Sequence, residues 1–247
     1  MESMVWESEI SAAWPKFLDD HRIGGTPVMP AAAFAMQALL AAASQNVELR
    51  DFTISEPLAV SAAATMTDER KTVQVILAAE GSIHMYSRAA EATSWTLHAR
   101  GKLRESSAAA PTMETADSIR ARCPESISGE EFYAQALQRQ MQFGPAFQRI
   151  DRLWRGDREA LCLFRMTSAD KEANTVGLID ACFQLAAAAR SSKDEEDNSG
   201  GYEGEGESLA RCGTHGRRKN AVVVGQNNWM PSNGYFDPYF ERIHTQV

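Results

Sequence analysis

The sequence has no excess of basic residues and no apolar run long enough to cross a membrane. Its 247 residues include 25 Lys and Arg against 33 Asp and Glu, which gives a formal net charge of -8 at pH 7. Nucleic acid and anionic lipid both bind to basic faces, so we expect neither as a partner. The longest apolar stretch, 31–43, is shorter than the roughly 20 residues that a membrane helix needs. A globular chain without membrane spans is therefore predicted.

Cysteine is scarce and the N-terminus lacks the features of a secretory signal. The first residues are acidic, where a signal peptide is basic, and no apolar core follows them. The four cysteines, Cys123, Cys162, Cys182 and Cys212, have no short paired spacing. Cys212-x2-His215 has the spacing of a metal pair, but the sequence contains no second pair to complete a zinc site. We predict reduced thiols, a cytoplasmic location and no metal.

Two apolar segments are predicted as helices that other elements must enclose. The first begins at Pro30, which suits the first helical position because its missing N–H is not needed there, and continues to Ala43. The second covers 176–189. Since both segments are apolar on nearly all sides, each needs a surrounding layer.

Strand-like segments supply such a layer in both halves. In the first half, segments 47–60, 71–79, 82–89 and 94–103 have strand character and turn-like breaks between them. In the second half, a helix at 130–141 and strands at 146–154 and 159–166 precede the second apolar helix. One apolar helix with a run of antiparallel strands predicts an α+β arrangement in which a sheet curls around the helix.

Composition divides the chain into five parts. The predicted parts are an N-terminal domain at 1–105, a linker at 106–120, a second domain at 121–190, a disordered segment at 191–220 and a C-terminal tail at 221–247. Ser, Ala and Pro dominate the start of the linker. The segment after 190 is rich in Ser, Asp, Glu and Gly and buries too little apolar surface to order itself.

Two motifs stand one in each half. His21, Gly25 and Pro30 have the spacing His-x3-Gly-x4-Pro, and Asp180 and Gln184 have the spacing Asp-x3-Gln on the second apolar helix. This ordered pair resembles the motifs of polyketide synthase dehydratases. The resemblance implies a double hot dog, in which two sheets each wrap around a central helix.

Two further sequence segments support the resemblance, which extends from about Val5 to Ala189. Phe143-Gly144-Pro145 is similar to the family's Tyr-Gly-Pro, and the segment 95–101 resembles the strand that closes the family's first half. The resemblance implies that Pro30, Phe143, Gly144 and Pro145 line a substrate tunnel.

Dehydration of a 3-hydroxyacyl thioester requires one base, which removes a proton from C2, and one acid, which protonates the departing C3 hydroxyl. A neutral imidazole suits the first task, and we assign His21 as the base. A carboxyl in an apolar wall stays protonated because desolvation raises its pKa, and we assign Asp180 as the acid. Gln184 shares a helix face with Asp180 and can orient its carboxyl. Backbone N–H groups near Gly25 would stabilise the negative charge that develops on the thioester oxygen.

Three departures from the family pattern bear on this interpretation. Phe143 replaces the family's Tyr and removes its hydroxyl. The chain begins close to the first motif, so we expect the first sheet to lack an edge strand. The polar segment after Asp180-x3-Gln184 replaces several strands, so we expect the second hot dog to be incomplete.

The resemblance implies a substrate, a (3R)-3-hydroxyacyl group, carried on the phosphopantetheine of an acyl carrier protein, with no metal or redox cofactor. The implied partners are that carrier, other polyketide synthase domains and a second copy in a homodimer. Two alternatives stay open. One is a degenerate scaffold module without activity, and the other is a related double hot dog that shifts a double bond or guides cyclisation.

Overall fold

The structure is a computed structural model that forms two compact units. Unit 1 comprises Met1–Ser107, Arg139–Gly144 and Asn233–Val247, and unit 2 comprises Ala108–Gln138 and Pro145–Ser232. The residues described are 3–42, 47–60, 70–106, 115–157, 159–165, 171–189, 213–214, 221–222 and 241–243.

Fourteen strands, four α-helices and one 3-10 helix are defined within these ranges. In chain order they are β1 (Met4–Ile10), the 3-10 helix (Lys16–Asp20), β2 (His21–Ile23), β3 (Thr26–Pro27), α1 (Ala31–Ala41), β4 (Val47–Ile54), β5 (Lys71–Leu77), β6 (Ser82–Ala89), β7 (Thr96–Glu105), α2 (Ala116–Arg122), β8 (Glu125–Ser128), α3 (Gly129–Gln138), β9 (Met141–Phe143), β10 (Ile150–Arg155), β11 (Ala160–Phe164), α4 (Lys171–Ala188), β12 (Gly213–Thr214), β13 (Ala221–Val222) and β14 (Glu241–Ile243).

Unit 1 is an antiparallel sheet packed against one apolar helix. The strand order is β14-β1-β5-β6-β7-β4, and α1 contacts β4, β5 and β7. Alternate residues of the strands point inward, so that Val73, Val75, Ile83 and Met85 are buried while their neighbours are partly exposed. The predicted sheet around the first helix is confirmed.

The expectation that the first sheet lacks an edge strand before His21 is wrong. β1 pairs antiparallel with β5 over its whole length, from Met4 opposite Leu77 to Ile10 opposite Lys71. Its sequence, MVWESEI, combines apolar and β-branched residues with charged ones, as a strand with one solvent-facing side does.

A buried histidine, His98, joins strands and a loop inside unit 1. Its Nδ1 donates to the carbonyl oxygen of Glu56 at 3.0 Å, and its Nε2 lies 2.7 Å from the Ser87 hydroxyl oxygen. Since the carbonyl can only accept, the neutral ring presents Nε2 as the acceptor for the Ser87 hydroxyl. Burial lowers the pKa of His98, an effect that the Glu56 carbonyl partly opposes.

We predict that this histidine makes unit 1 less stable in mild acid. Its folded pKa lies below its unfolded value of about 6.5, so the unfolded chain takes up the proton first and the stabilisation present above that pH is lost as the pH falls. His98→Gln should flatten the fall in the free energy of unfolding between about pH 7 and about pH 5, measured by urea denaturation. A variant with the slope of the wild type would contradict this account.

Unit 2 contains the second apolar helix and a smaller described sheet. The sheet has the strand order β11-β10-β8, and α4 packs on it through Ala181, Cys182 and Leu185, which join a core that includes Leu153 and Phe164. Among the described residues, this sheet has three strands against six in unit 1. The expectation of an incomplete second hot dog concerns residues after 190, most of which lie outside the described ranges, and stays a prediction.

Several element boundaries differ from the sequence prediction; for example, the strand predicted at 47–60 ends at Ile54 and the one predicted at 146–154 begins at Ile150. The helix predicted at 130–141 ends at Gln138 because Gln140 adopts a φ of 62°, which turns the chain out of the helix and into β9. The range predicted as a linker, 106–120, contains the start of α2, where the Thr115 side chain accepts a hydrogen bond from the Ser118 N–H at 3.3 Å. Residues 107–114 of that range lie outside the description.

The C-terminal predictions fall largely outside the described ranges. Of the segments predicted as disordered and as a tail, only β12, β13 and β14 are described, and β14 pairs antiparallel with β1. In the described part of the chain, no helix combines the length and apolarity needed to cross a membrane. Cys123, Cys162 and Cys182 are buried free thiols, as predicted, and Cys212 is not described.

Candidate active site

His21 begins β2, directly after the 3-10 helix, and its ring is held by the backbone. Its Nδ1 lies 2.8 Å from the Val28 carbonyl oxygen, and the Val28 N–H donates to the His21 carbonyl at 2.9 Å. Because a carbonyl oxygen only accepts, Nδ1 carries the proton of the neutral ring. The basic lone pair of His21 is therefore on Nε2.

The glycines after His21 form a tight hairpin. Ile23 of β2 pairs with Thr26 of β3, so Gly24 and Gly25 are the two loop residues, and their φ angles are 58° and 81°. Positive φ at both positions is what a two-residue hairpin of this twist requires, and glycine adopts it without steric cost. Gly25 thus has a structural reason to be glycine, and its oxyanion role stays a prediction.

The segment predicted to correspond to Tyr-Gly-Pro runs beside His21. β9 pairs antiparallel with β2, Phe143 is directly opposite His21, and the two rings meet edge to face with centroids 5.5 Å apart. The Gly144 N–H donates to the Asp20 carbonyl at 2.6 Å, and a Cβ at Gly144 would collide with the Asp20 carboxylate. Glycine is required here by this close approach.

Pro30 is buried and directly precedes α1, one residue earlier than the first helical position predicted for it. Its carbonyl accepts from the Ala33 N–H at 2.9 Å in the first turn. Pro145 follows Gly144 and begins the second stretch of unit 2. The tunnel assigned to these residues stays a prediction.

Asp180 and Gln184 lie on α4 in unit 2 and are bonded to each other. Their exposed fractions are only 5% and 8%. The Gln184 Nε2 donates to Asp180 Oδ2 at 2.8 Å, as the four-residue spacing predicts. Burial of the carboxyl is what the acid assignment requires, and the amide fixes the rotamer of the carboxyl.

Tyr133 on α3 extends this pair and was not predicted from the sequence. Its hydroxyl accepts from the Ile150 N–H at 2.9 Å, and the Phe147 carbonyl at 3.1 Å and Gln184 Oε1 at 3.2 Å lie within reach of its proton. Burial raises the pKa of Tyr133 well above its usual value, so the hydroxyl stays a donor.

A capping box fixes the start of α3, the helix that carries Tyr133, but it does not predict the hydrogen-bond partners of Tyr133. Ser128 and Glu131 form a capping box at the start of α3, in which Ser128 Oγ accepts from the Glu131 N–H at 3.1 Å and the Glu131 carboxylate accepts from the Ser128 N–H at 2.9 Å. Ser-x-x-Glu before the helix is visible in the sequence.

The structure thus brings together two groups of predicted residues. In unit 1, His21 lies with Phe143 next to it and the Gly24-Gly25 turn at the end of its strand. In unit 2, Asp180 lies with Gln184. The described residues contain no cluster of three or more potential metal ligands.

Sequence models of one family match both halves of the chain. The model described as "Polyketide synthase dehydratase domain" matches residues 1–100, and the one described as "Polyketide synthase dehydratase N-terminal domain" matches residues 111–202. Together they cover more than half of the chain.

Two curated relatives are large synthases. The spectinabilin polyketide synthase system protein NorB of Streptomyces orinoci is 30% identical over 161 residues, which are 62% of this chain and 7% of NorB. Mycoketide-CoA synthase of Mycobacterium tuberculosis is 27% identical over 238 residues, which are 90% of this chain and 6% of that synthase. The chain therefore spans less than a tenth of the length of either relative.

Solved dehydratase domains share the fold. The dehydratase domain of the CurK module of curacin polyketide synthase superposes with a TM-score of 0.70 at 18% identity and covers 92% of both chains. The CurF dehydratase domain gives a TM-score of 0.64 at 26% identity, with 76% of this chain and 71% of that chain covered. The fold and the family matches of both halves agree with the paired motifs, and the chain belongs to the polyketide synthase dehydratases, with their double hot dog fold.

Proposed function

We propose that this chain removes water from a (3R)-3-hydroxyacyl thioester, with His21 as the base and Asp180 as the acid. His21 Nε2 takes the C2 proton, the electron pair of the C2–H bond forms the C2–C3 double bond, and the C3–O bond breaks. Asp180 gives its proton to the departing hydroxyl, which leaves as water. One base and one acid balance the reaction, so no redox or metal cofactor is needed.

The observation that carries the proposal is the hydrogen bond between the His21 ring and the Val28 carbonyl. The bond from Nδ1 to the Val28 carbonyl fixes the ring and leaves Nε2 to accept a proton, which is what a general base must do. A ring with its proton on Nε2 would instead be a hydrogen-bond donor toward substrate.

Two further observations support the assignment. Asp180 is buried and bonded to Gln184, so its carboxyl is desolvated and its rotamer is fixed. A His-to-Phe variant of the CurJ dehydratase, which is 26% identical to this chain, is described as an inactive mutant. A histidine in that relative is thus needed for its activity.

We further propose that the substrate arrives on the phosphopantetheine arm of an acyl carrier protein. This chain matches only 7% and 6% of the length of two large synthases, which supports other synthase domains as its neighbours. These domains and the carrier are the proposed partners of this chain as well.

Mass spectrometry tests the proposal directly. The full chain is incubated with a 3-hydroxyacyl carrier thioester, and the expected product has lost the mass of one water. A dehydratase domain with known activity under the same conditions is the positive control. If that control reacts and this chain leaves the mass of the substrate unchanged, the dehydratase proposal fails.

A further inference from the structure

We infer that Tyr133 is a positioning residue for the acid: its hydroxyl fixes the side-chain amide of Gln184 in the orientation that donates to Asp180. This inference rests on the proposed function, in which Asp180 is the acid. It assigns a role to a residue on α3 that belongs to neither sequence motif.

The hydroxyl of Tyr133 has little freedom to reorient. Its oxygen accepts from the Ile150 backbone N–H at 2.9 Å, so its proton points to the other side, toward Gln184 Oε1 at 3.2 Å and the Phe147 carbonyl at 3.1 Å. Both are acceptors. The single proton is shared between these two acceptors, and its donation to Oε1 favours the orientation in which the Gln184 amide oxygen is on the Tyr133 side.

This orientation determines what Asp180 meets. With Oε1 facing Tyr133, the Gln184 Nε2 faces Asp180 Oδ2 at 2.8 Å and the Phe147 carbonyl at 3.4 Å. If the amide were flipped, Gln184 Oε1, which is an acceptor, would face both Asp180 Oδ2 and the Phe147 carbonyl oxygen. Because Asp180 Oδ2 accepts from Gln184, the transferable proton of the acid is directed to Oδ1.

Charged and titratable groups other than Asp180 also lie near Tyr133. They are Cys162 on β11 and the buried guanidinium of Arg149, whose Nε donates to the Ala146 carbonyl at 2.9 Å. A Cβ at Gly177, three residues before Asp180 on α4, would lie 3.0 Å from that Nε. These groups are unchanged in the substitution below.

Tyr133→Phe removes only the hydroxyl and should lower kcat about fivefold to tenfold with KM within about twofold, which corresponds to the loss of one hydrogen bond in the positioning of the acid. The pH profile should move as well. Donation from Gln184 favours the ionised carboxylate, so a loosened amide raises the pKa of Asp180, and the basic limb of the kcat profile shifts to higher pH. Tyr86→Phe, on the outer face of unit 1, is the matched control and should leave both unchanged.

A double-mutant cycle separates positioning from general packing. If Tyr133 acts through Gln184, Tyr133→Phe should have no further effect on kcat in a Gln184→Ala background. Additive losses, or an unshifted pH profile in the single variant, would overturn the inference.

The amide orientation can also be measured in the wild type, which decides the question if Tyr133→Phe does not fold. Nuclear Overhauser contacts from the Gln184 side-chain amide protons should reach the Asp180 Hβ atoms. Contacts to the Tyr133 ring next to its hydroxyl would instead show the opposite orientation. A wild type without turnover but with the predicted contacts would refute the proposed function and leave this geometry intact.

Discussion

We expect His21→Ala to lower the turnover of a 3-hydroxyacyl thioester by about 10²–10⁴-fold while the chain remains folded. The substitution removes the group that takes the C2 proton, together with the hydrogen bond from its Nδ1 to the Val28 carbonyl. Single-turnover kinetics with the carrier-bound substrate measure the loss, and circular dichroism with thermal unfolding measures the fold.

His84→Ala is the matched control for this variant. His84 lies on the outer face of β6 and stacks on Tyr86 with ring centroids 6.3 Å apart. Its removal should leave turnover within about twofold, as expected for a surface substitution. Exogenous imidazole should restore part of the activity of His21→Ala and should have no effect on His84→Ala. A His21→Ala variant that turns over at the rate of the His84→Ala control would exclude His21 as the base.

The strands and the helix of the first half were predictable because the spacing of their apolar residues matches the side of each element that is buried. β6 has the predicted bounds, and α1 begins at Ala31 and ends at Ala41, two residues before the predicted end. β1 was missed although its residues have strand character, and its pairing with β5 places it beside the predicted strands of the first sheet. The end of α3 was missed because the left-handed conformation of Gln140 has no local signal: Gln is not a residue that favours positive φ.

The candidate site was predictable where a motif is local and not where a contact is distant in the chain. Asp180 and Gln184 are one helical turn apart, so their hydrogen bond follows from spacing. Tyr133 and Gln184 are 51 residues apart in the sequence, and no periodic pattern predicts a contact over that separation. Phe143 was predicted from its motif letters, but its place opposite His21 depends on the pairing of β9 with β2.

Asp180→Asn should lower turnover by about as much as the loss of the base, roughly 10²–10⁴-fold, with little change in stability. Asparagine has the shape of aspartic acid and its Oδ1 can still accept from Gln184 Nε2, but it has no proton to give to the leaving hydroxyl. The same kinetic assay measures the rate, and urea denaturation measures the free energy of unfolding. A variant that loses its fold together with its activity would favour the scaffold alternative.

Hydrogen exchange at C2 distinguishes the roles of the two residues. In deuterated water, Asp180→Asn keeps the base, so it should still incorporate deuterium at C2 of the substrate although it expels no water. His21→Ala should incorporate none, because the negative charge on the thioester oxygen cannot form without removal of the proton. Exchange that survives in His21→Ala and disappears in Asp180→Asn would reverse the assignment of base and acid, since the carboxylate would then be the group that takes the proton.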